Sequence, residues 1–139
     1  MLIKEIMKKD LVTVHPEETI FKACMKYRDE KIGCLLVLKD KYCVGILTER
    51  DIIERVICNN LDPKKTKVED IMTEDIITIN KLSKIEDALN LMSVNHIKKL
   101  PVVSEDELVG IITIHDLALA KGELTKRFMD SWIKSRWID

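Results

Sequence analysis

Two four-residue strings hold the side chains best suited to a small ligand: Thr48-Glu49-Arg50-Asp51 and Thr113-Ile114-His115-Asp116. Each follows an apolar run, Val44-Gly45-Ile46-Leu47 and Val109-Gly110-Ile111-Ile112, so a strand hands over to a helix at the threonine. The first turn of a helix offers unpaired N–H groups and the positive end of the dipole, which suits a phosphate. Thr48 or Thr113 adds a hydroxyl to that phosphate or to a ribose. Asp51 or Asp116 repels phosphate, so its ligand role is to accept from the two ribose hydroxyls. The same string is also an N-cap box that needs no ligand, and both readings stand. Arg50 and His115 lie inside the turn, within reach of a phosphate; His115 serves equally as a partly buried, hydrogen-bonded imidazole. Lys98 and Lys99 occupy adjacent strand positions, so only one can face a given ligand. Their other reading is a solvated pair at a strand entrance.

Catalytic patterns do not emerge. With four glycines in the chain there is no P-loop, and there is no nucleophile elbow. His15, His96 and His115 show no ligand spacing with one another or with a cysteine. Cys24, Cys34, Cys43 and Cys58 form no C-x-x-C pair; they read as reduced, small core hydrophobes rather than as a zinc site. A net charge of −1 gives no general attraction to nucleic acid or to an anionic membrane. No run approaches the roughly 18 apolar residues of a membrane span. Met1 to Lys9 is too short and too charged for a signal peptide. The expectation is a cytoplasmic protein that is not an enzyme and carries no metal.

The elements that position these strings come in duplicate. A shift of 65 positions aligns the two halves without a gap: Ile6-Met7 on Ile71-Met72, Thr13 on Thr78, Val44-Gly45-Ile46 on Val109-Gly110-Ile111, Thr48 on Thr113, Asp51 on Asp116. One constant offset over a whole unit is the mark of an internal repeat. The reading is repeat one over 1–60, a polar linker with Pro63 over 61–67, repeat two over 68–122, and a tail over 123–139. Each copy is expected to run strand, helix, strand, strand, helix. The first strands are Leu11–Val14 and Ile76–Ile79. Helices follow, with Ile20, Ala23, Cys24 and Tyr27, or Ile85, Ala88, Leu89 and Met92, at helical spacing. Ser83 and Glu86 suggest a capping box for the second. Hairpins span Cys34–Leu38 with Cys43–Leu47, and Leu100–Val103 with Leu108–Ile112. In the closing helix, Ile52 with Val56 and Ile53 with Ile57 mark an apolar side. At 139 residues and 46% apolar composition, the chain can bury a core. A copy of about 55 residues is too small to be stable alone, so the two are expected to pack about a pseudo-twofold axis, with two equivalent clefts between them.

These strings resemble the cystathionine-β-synthase-type (CBS) repeat. In the first copy the resemblance rests on Ile6-Met7, Asp10-Leu11-Val12-Thr13-Val14, Pro16, Ala23 and Val44 to Asp51. In the second it rests on Asp70-Ile71-Met72-Thr73, Lys99-Leu100-Pro101-Val102-Val103 and Val109 to Asp116, so it covers roughly residues 3 to 121. The resemblance implies an α/β (α+β) fold of two β-α-β-β-α repeats, a Bateman module, that binds AMP, ADP, ATP, S-adenosylmethionine or a related adenosyl ligand in the inter-repeat clefts. It implies dimerisation into a flat disc and regulation of a partner. By the same resemblance Val12, Ile77 and Pro101 are candidates for the adenine walls, with plain core as the alternative. The first copy departs from the pattern: Gly33-Cys34-Leu35-Leu36 stands where the second has Lys98-Lys99-Leu100-Pro101, so unequal phosphate sites are expected. In the tail, Leu124, Phe128 and Trp132, flanked by Met129, Ile133 and Trp137, form an amphipathic helix that either folds back, joins a dimer interface or docks a protein partner. The expected function is an adenosyl-ligand sensor without a cofactor, acting as a homodimer; the alternative is a ligand-independent interaction module.

Overall fold

The computed structural model describes residues 1–122 together with Lys126, Met129 and Asp130. The amphipathic helix expected over 123–139 otherwise lies outside the described residues. The elements are α1 (Ile3–Ile6), β1 (Thr13–Val14), α2 (Ile20–Glu30), β2 (Cys34–Lys39), β3 (Tyr42–Thr48), α3 (Glu49–Ile52), a π-helical turn at Ile53–Ile57, α4 (Val68–Ile71), β4 (Ile79–Asn80), α5 (Ile85–Asn95), β5 (Lys99–Ser104), β6 (Glu107–Thr113) and α6 (Ile114–Lys121). The fold is α+β, with two three-stranded sheets ordered β1-β2-β3 and β4-β5-β6.

The hairpins form where alternation predicts them. In one, Cys34 lies opposite Thr48 and Lys39 opposite Tyr42; in the other, Lys99 lies opposite Thr113 and Ser104 opposite Glu107. Glu105 and Asp106, both at positive φ (51° and 68°), close the second hairpin. This is the two-residue turn whose twist matches that of the strands. The first strands are shorter than expected. Only Thr13–Val14 and Ile79–Asn80 pair, parallel to the first hairpin strand of their own sheet, with Thr13 opposite Leu36 and Ile79 opposite Val102.

The chain divides into two compact units, Leu11–Ile76 and Met1–Asp10 with the described residues from Ile77 onward. Each unit therefore takes its leading segment from the other sequence copy. Ile3 donates its N–H to the Ser83 carbonyl, and Lys8 and Ile111 exchange two backbone bonds of 2.9 Å each. At the matching places Val68 donates to Glu18, and Thr73 exchanges two bonds with Ile46. The one-turn helices α1 and α4 ride on these segments. Ile3 and Val68, both 0% exposed, plug the respective cores. The first core holds Val14, Ile20, Ala23, Leu35, Val37, Leu47, Ile52 and Val56; the second holds Ile79, Ile85, Ala88, Met92, Leu100, Val102, Ile112 and Leu117.

This exchange explains the glycine in each hairpin. A Cβ on Gly45 would lie 2.5 Å from Met72 Sδ, and one on Gly110 would lie 2.6 Å from Met7 Sδ. Only glycine lets the methionine of the incoming segment lie against the middle of the strand.

Several local expectations need correction. The α5 cap is Lys84, whose N–H donates to Asp87 Oδ2 at 3.1 Å; Ser83 instead supplies the carbonyl that holds Ile3. Ile52 and Val56 are buried, but Ile53 and Ile57 are 56% and 57% exposed. Neighbours on a helix point about 100° apart, so one i, i+4 pair takes the core and the next faces out. Cys24 packs on its core and Cys34 and Cys43 are half-buried, but Cys58, just past the π-turn, is exposed. Burial pushes the Cys24 and Cys43 thiols above their ordinary range, which keeps them weak nucleophiles.

Candidate ligand site at the Thr-x-x-Asp turns

Both turns form closed capping boxes. Thr48 N–H donates to Asp51 Oδ2 at 2.9 Å, and Asp51 N–H donates to Thr48 Oγ1 at 3.1 Å. Thr113 N–H donates to Asp116 Oδ2 at 2.9 Å, and Asp116 N–H to Thr113 Oγ1 at 3.2 Å; the Thr113 hydroxyl also donates to Asp116 Oδ2 at 2.9 Å. Each threonine sits in extended backbone, φ −107° and −116°, which turns the strand into the helix. The first N–H of α6, at Ile114, donates to the Lys98 carbonyl at 2.9 Å. That N–H is thus taken, so an anion would rely on the remaining turn and on side chains.

The second oxygen of each aspartate faces a cation. Asp51 Oδ1 lies 3.5 Å from Arg55 Nη2, one helical turn along the same chain segment. Arg55 Nη1 also donates to the Ile71 carbonyl at 2.7 Å and to Thr73 Oγ1 at 3.2 Å, so it ties the turn to its leading segment. Asp116 Oδ1 lies 3.8 Å from Lys8 Nζ, which stands on the leading segment itself. Both carboxylates are largely enclosed, with side-chain exposures of 14% and 9%. In the first turn, Tyr27 of α2 donates its hydroxyl to the Leu47 carbonyl, one residue before Thr48. Burial pushes the Tyr27 hydroxyl far above its ordinary value. Met92 occupies the matching place in the other copy and is fully buried.

The candidate residues fall into two sets, each within its own unit. Thr48, Arg50, Asp51 and Val12 belong to one; Ile77, Lys98, Lys99, Pro101, Thr113, His115 and Asp116 belong to the other. Strand alternation puts Lys99 and Pro101 on the sheet face shared by their partners Thr113 and Ile111, away from the Leu100 and Val102 core face. Lys98 contributes its carbonyl to α6, and His115 is exposed at the first turn. Arg50 turns instead to Glu54, with Nε 2.7 Å from Oε1. Val12 and Ile77 are partly buried, each packed against the core of its own unit.

Sequence reasoning missed Arg55, Lys8 and Tyr27. Arg55 was findable, since it stands four residues beyond Asp51 on a helix. Lys8 was not, because its meeting with Asp116 depends on the segment exchange. Among the described residues no group of three or more His, Cys, Asp or Glu gathers for a metal, and no helix is long and apolar enough to cross a membrane.

Two repeats of one α+β pattern, each ending a strand on a capped Thr-x-x-Asp turn, define a pair of CBS domains. The family model described as the CBS domain matches over residues 3–57 and again over 68–123, and the chain belongs to that family. A curated relative, the uncharacterized protein MK0525 of Methanopyrus kandleri, is 31% identical over 117 residues, 83% of this chain and 60% of that protein. The CBS domain pair of protein MJ0100, solved in complex with 5′-methylthioadenosine and S-adenosyl-L-methionine, is 29% identical. It has a TM-score of 0.76 over 88% of this chain and 96% of that one. The hexameric CBS-CP12 protein from bloom-forming cyanobacteria is 27% identical, with a TM-score of 0.73 over 97% of this chain and 81% of that one.

Proposed function

We propose that this chain is a regulatory sensor that binds an adenosine-containing ligand, such as AMP, ADP, ATP or S-adenosylmethionine, at its Thr-x-x-Asp turns and signals occupancy to a partner without catalysing a reaction. The observation that carries the reading is the likeness to a CBS pair solved with two adenosyl ligands, joined to a chain that builds both turns. In this reading Asp51 and Asp116 accept from ribose hydroxyls through Oδ1, the oxygen that the cap leaves facing Arg55 or Lys8. Lys98, Lys99 and His115 supply the phosphate contacts, and Arg50 follows only by leaving Glu54. Val12, Ile77 and Pro101 line the base. The ligand is regulatory, and no cofactor is needed.

A homodimer in the cytoplasm is part of the same proposal. Ile53 and Ile57, four apart on the π-helical turn, are each more than half accessible, the kind of apolar side chain a subunit interface covers. The second reading, a ligand-independent interaction module, is favoured by the same side chains and by both caps being complete without a ligand.

Thermal melting separates the two. With AMP, ATP, S-adenosylmethionine or 5′-methylthioadenosine at about 100 times its dissociation constant, a sensor gains about 2.7 kcal/mol. An unmoved melting temperature across millimolar concentrations of all four would leave the interaction module.

A further inference from the structure

Asp116 has one oxygen to offer and it is already watched. Oδ2 accepts from both the N–H and the hydroxyl of Thr113, so a ribose must use Oδ1. Lys8 Nζ stands 3.8 Å from Oδ1. The backbone of Lys8 is fixed by its two bonds to Ile111, while its side chain is 59% exposed and its ion pair is long. A pair of that kind costs little to open, and a lysine stem is flexible. The ammonium is thus anchored at its root and loose at its tip, within a few ångströms of where ribose would bind.

We infer that Lys8 makes the Asp116 turn selective for phosphate-bearing nucleosides. This rests on the adenosine-ligand reading above. A nucleoside without phosphate competes with Lys8 for Oδ1 and gives the displaced ammonium nothing in return. A nucleoside 5′-phosphate offers that ammonium a stronger, charge-assisted partner, so ribose and phosphate binding reinforce each other. The Asp51 turn has no such device. Thr73 stands at the place matching Lys8, and the cation there, Arg55, is held by the Ile71 carbonyl and Thr73 Oγ1 as well as by Asp51.

The test is titration calorimetry of the full chain and its Lys8→Met and Lys8→Arg variants with AMP and with adenosine. Lys8 makes its backbone bonds without its side chain, so both variants should melt near the wild type. In the wild type AMP should bind more tightly than adenosine. In Lys8→Met the AMP affinity should fall about tenfold, the scale of one charge-assisted bond, while adenosine is unchanged or tighter. Lys8→Arg should restore the preference. An AMP-to-adenosine ratio unchanged in Lys8→Met, or both ligands weakened equally, would overturn the role of Lys8 while leaving the sensor reading intact. Failure of both ligands to bind the wild type would overturn this inference; the sensor reading falls with it only if ATP, S-adenosylmethionine and 5′-methylthioadenosine also leave the melting temperature unmoved.

Discussion

The turns at Thr48 and Thr113 share a backbone and differ in who neutralises the aspartate. In both, the N-cap N–H meets Oδ2 at 2.9 Å. At Asp51 the cation comes from the same helix and is bound at three acceptors; at Asp116 it comes from the exchanged leading segment and makes one loose pair. The difference extends one layer back, where Tyr27 braces the end of β3 and Met92 fills the same place with hydrocarbon. A duplicated fold fixes where a carboxylate stands. The single substitutions Lys8 for Thr73 and Arg55 for Ala120 decide whether that carboxylate is locked or available. The locked turn reads as the weaker ligand site, and the available one as the better.

The comparison depends first on the segment exchange, and the largest expected effect probes it. Ile3 is 0% exposed and sits in the core of the unit that holds Asp116. Ile3→Ala should cost about 2–5 kcal/mol. Hydrogen exchange should show the loss in β5 and β6, although Ile3 belongs in sequence to the first copy. Protection lost chiefly in β2 and β3 would contradict the exchange.

That exchange was also the limit of what the sequence made legible. The 65-residue offset, both hairpins, both long helices and the Thr-x-x-Asp turns follow from local pattern, because alternation and helical spacing report the face each residue presents. The helices α1 and α4 have four residues each, too few to show a period. The contacts of Met7 with Gly110 and of Met72 with Gly45 join residues far apart in the chain. Both glycines and both methionines stood out as repeated, yet nothing local says that each methionine crosses to the other copy's glycine. The parallel pairing of β1 and β4 shrank for a related reason: Val12 and Ile77 precede the paired residues and pack on the cores as coil.

The next effect is on ligand affinity. Asp116→Asn keeps the shape and much of the capping ability, so the ligand-free protein should melt near the wild type. AMP affinity should fall about ten- to a hundredfold, the loss of one or two charge-assisted bonds worth about 1.5–3 kcal/mol. Asp51→Asn should cost AMP binding much less, because Arg55 already holds that carboxylate. Calorimetry on the two variants side by side checks the asymmetry. A double-mutant cycle with 2′-deoxy-AMP sharpens it. If Asp116 touches the ribose, removing the hydroxyl and the carboxylate should cost less together than the sum of the two losses. Additive losses would return Asp116 to a capping role, and equal losses in the two variants would abolish the distinction between the turns.

The smallest effect belongs to Tyr27, and it touches stability alone. Its hydroxyl donates to the Leu47 carbonyl at the end of β3. Tyr27→Phe keeps the ring and removes the donor, which should cost about 0.5–1.5 kcal/mol. The pH dependence identifies the residue. Burial raises the folded-state value of this hydroxyl far above that of the unfolded chain, where tyrosine ionises near pH 10. Below that value both states hold the proton and the full stabilisation is present. Above it the unfolded chain releases the proton and the folded one does not, so unfolding becomes more favourable as pH rises. Denaturant unfolding of the wild type should therefore lose stability between about pH 9.5 and 11 more steeply than Tyr27→Phe does, with other alkaline groups common to both. Met92→Ala, at the matching place, should cost more stability than Tyr27→Phe and leave the alkaline slope alone. Parallel slopes for wild type and Tyr27→Phe would show that Tyr27 is not buried against β3 as a neutral donor, and the brace would no longer distinguish the Asp51 turn from its counterpart.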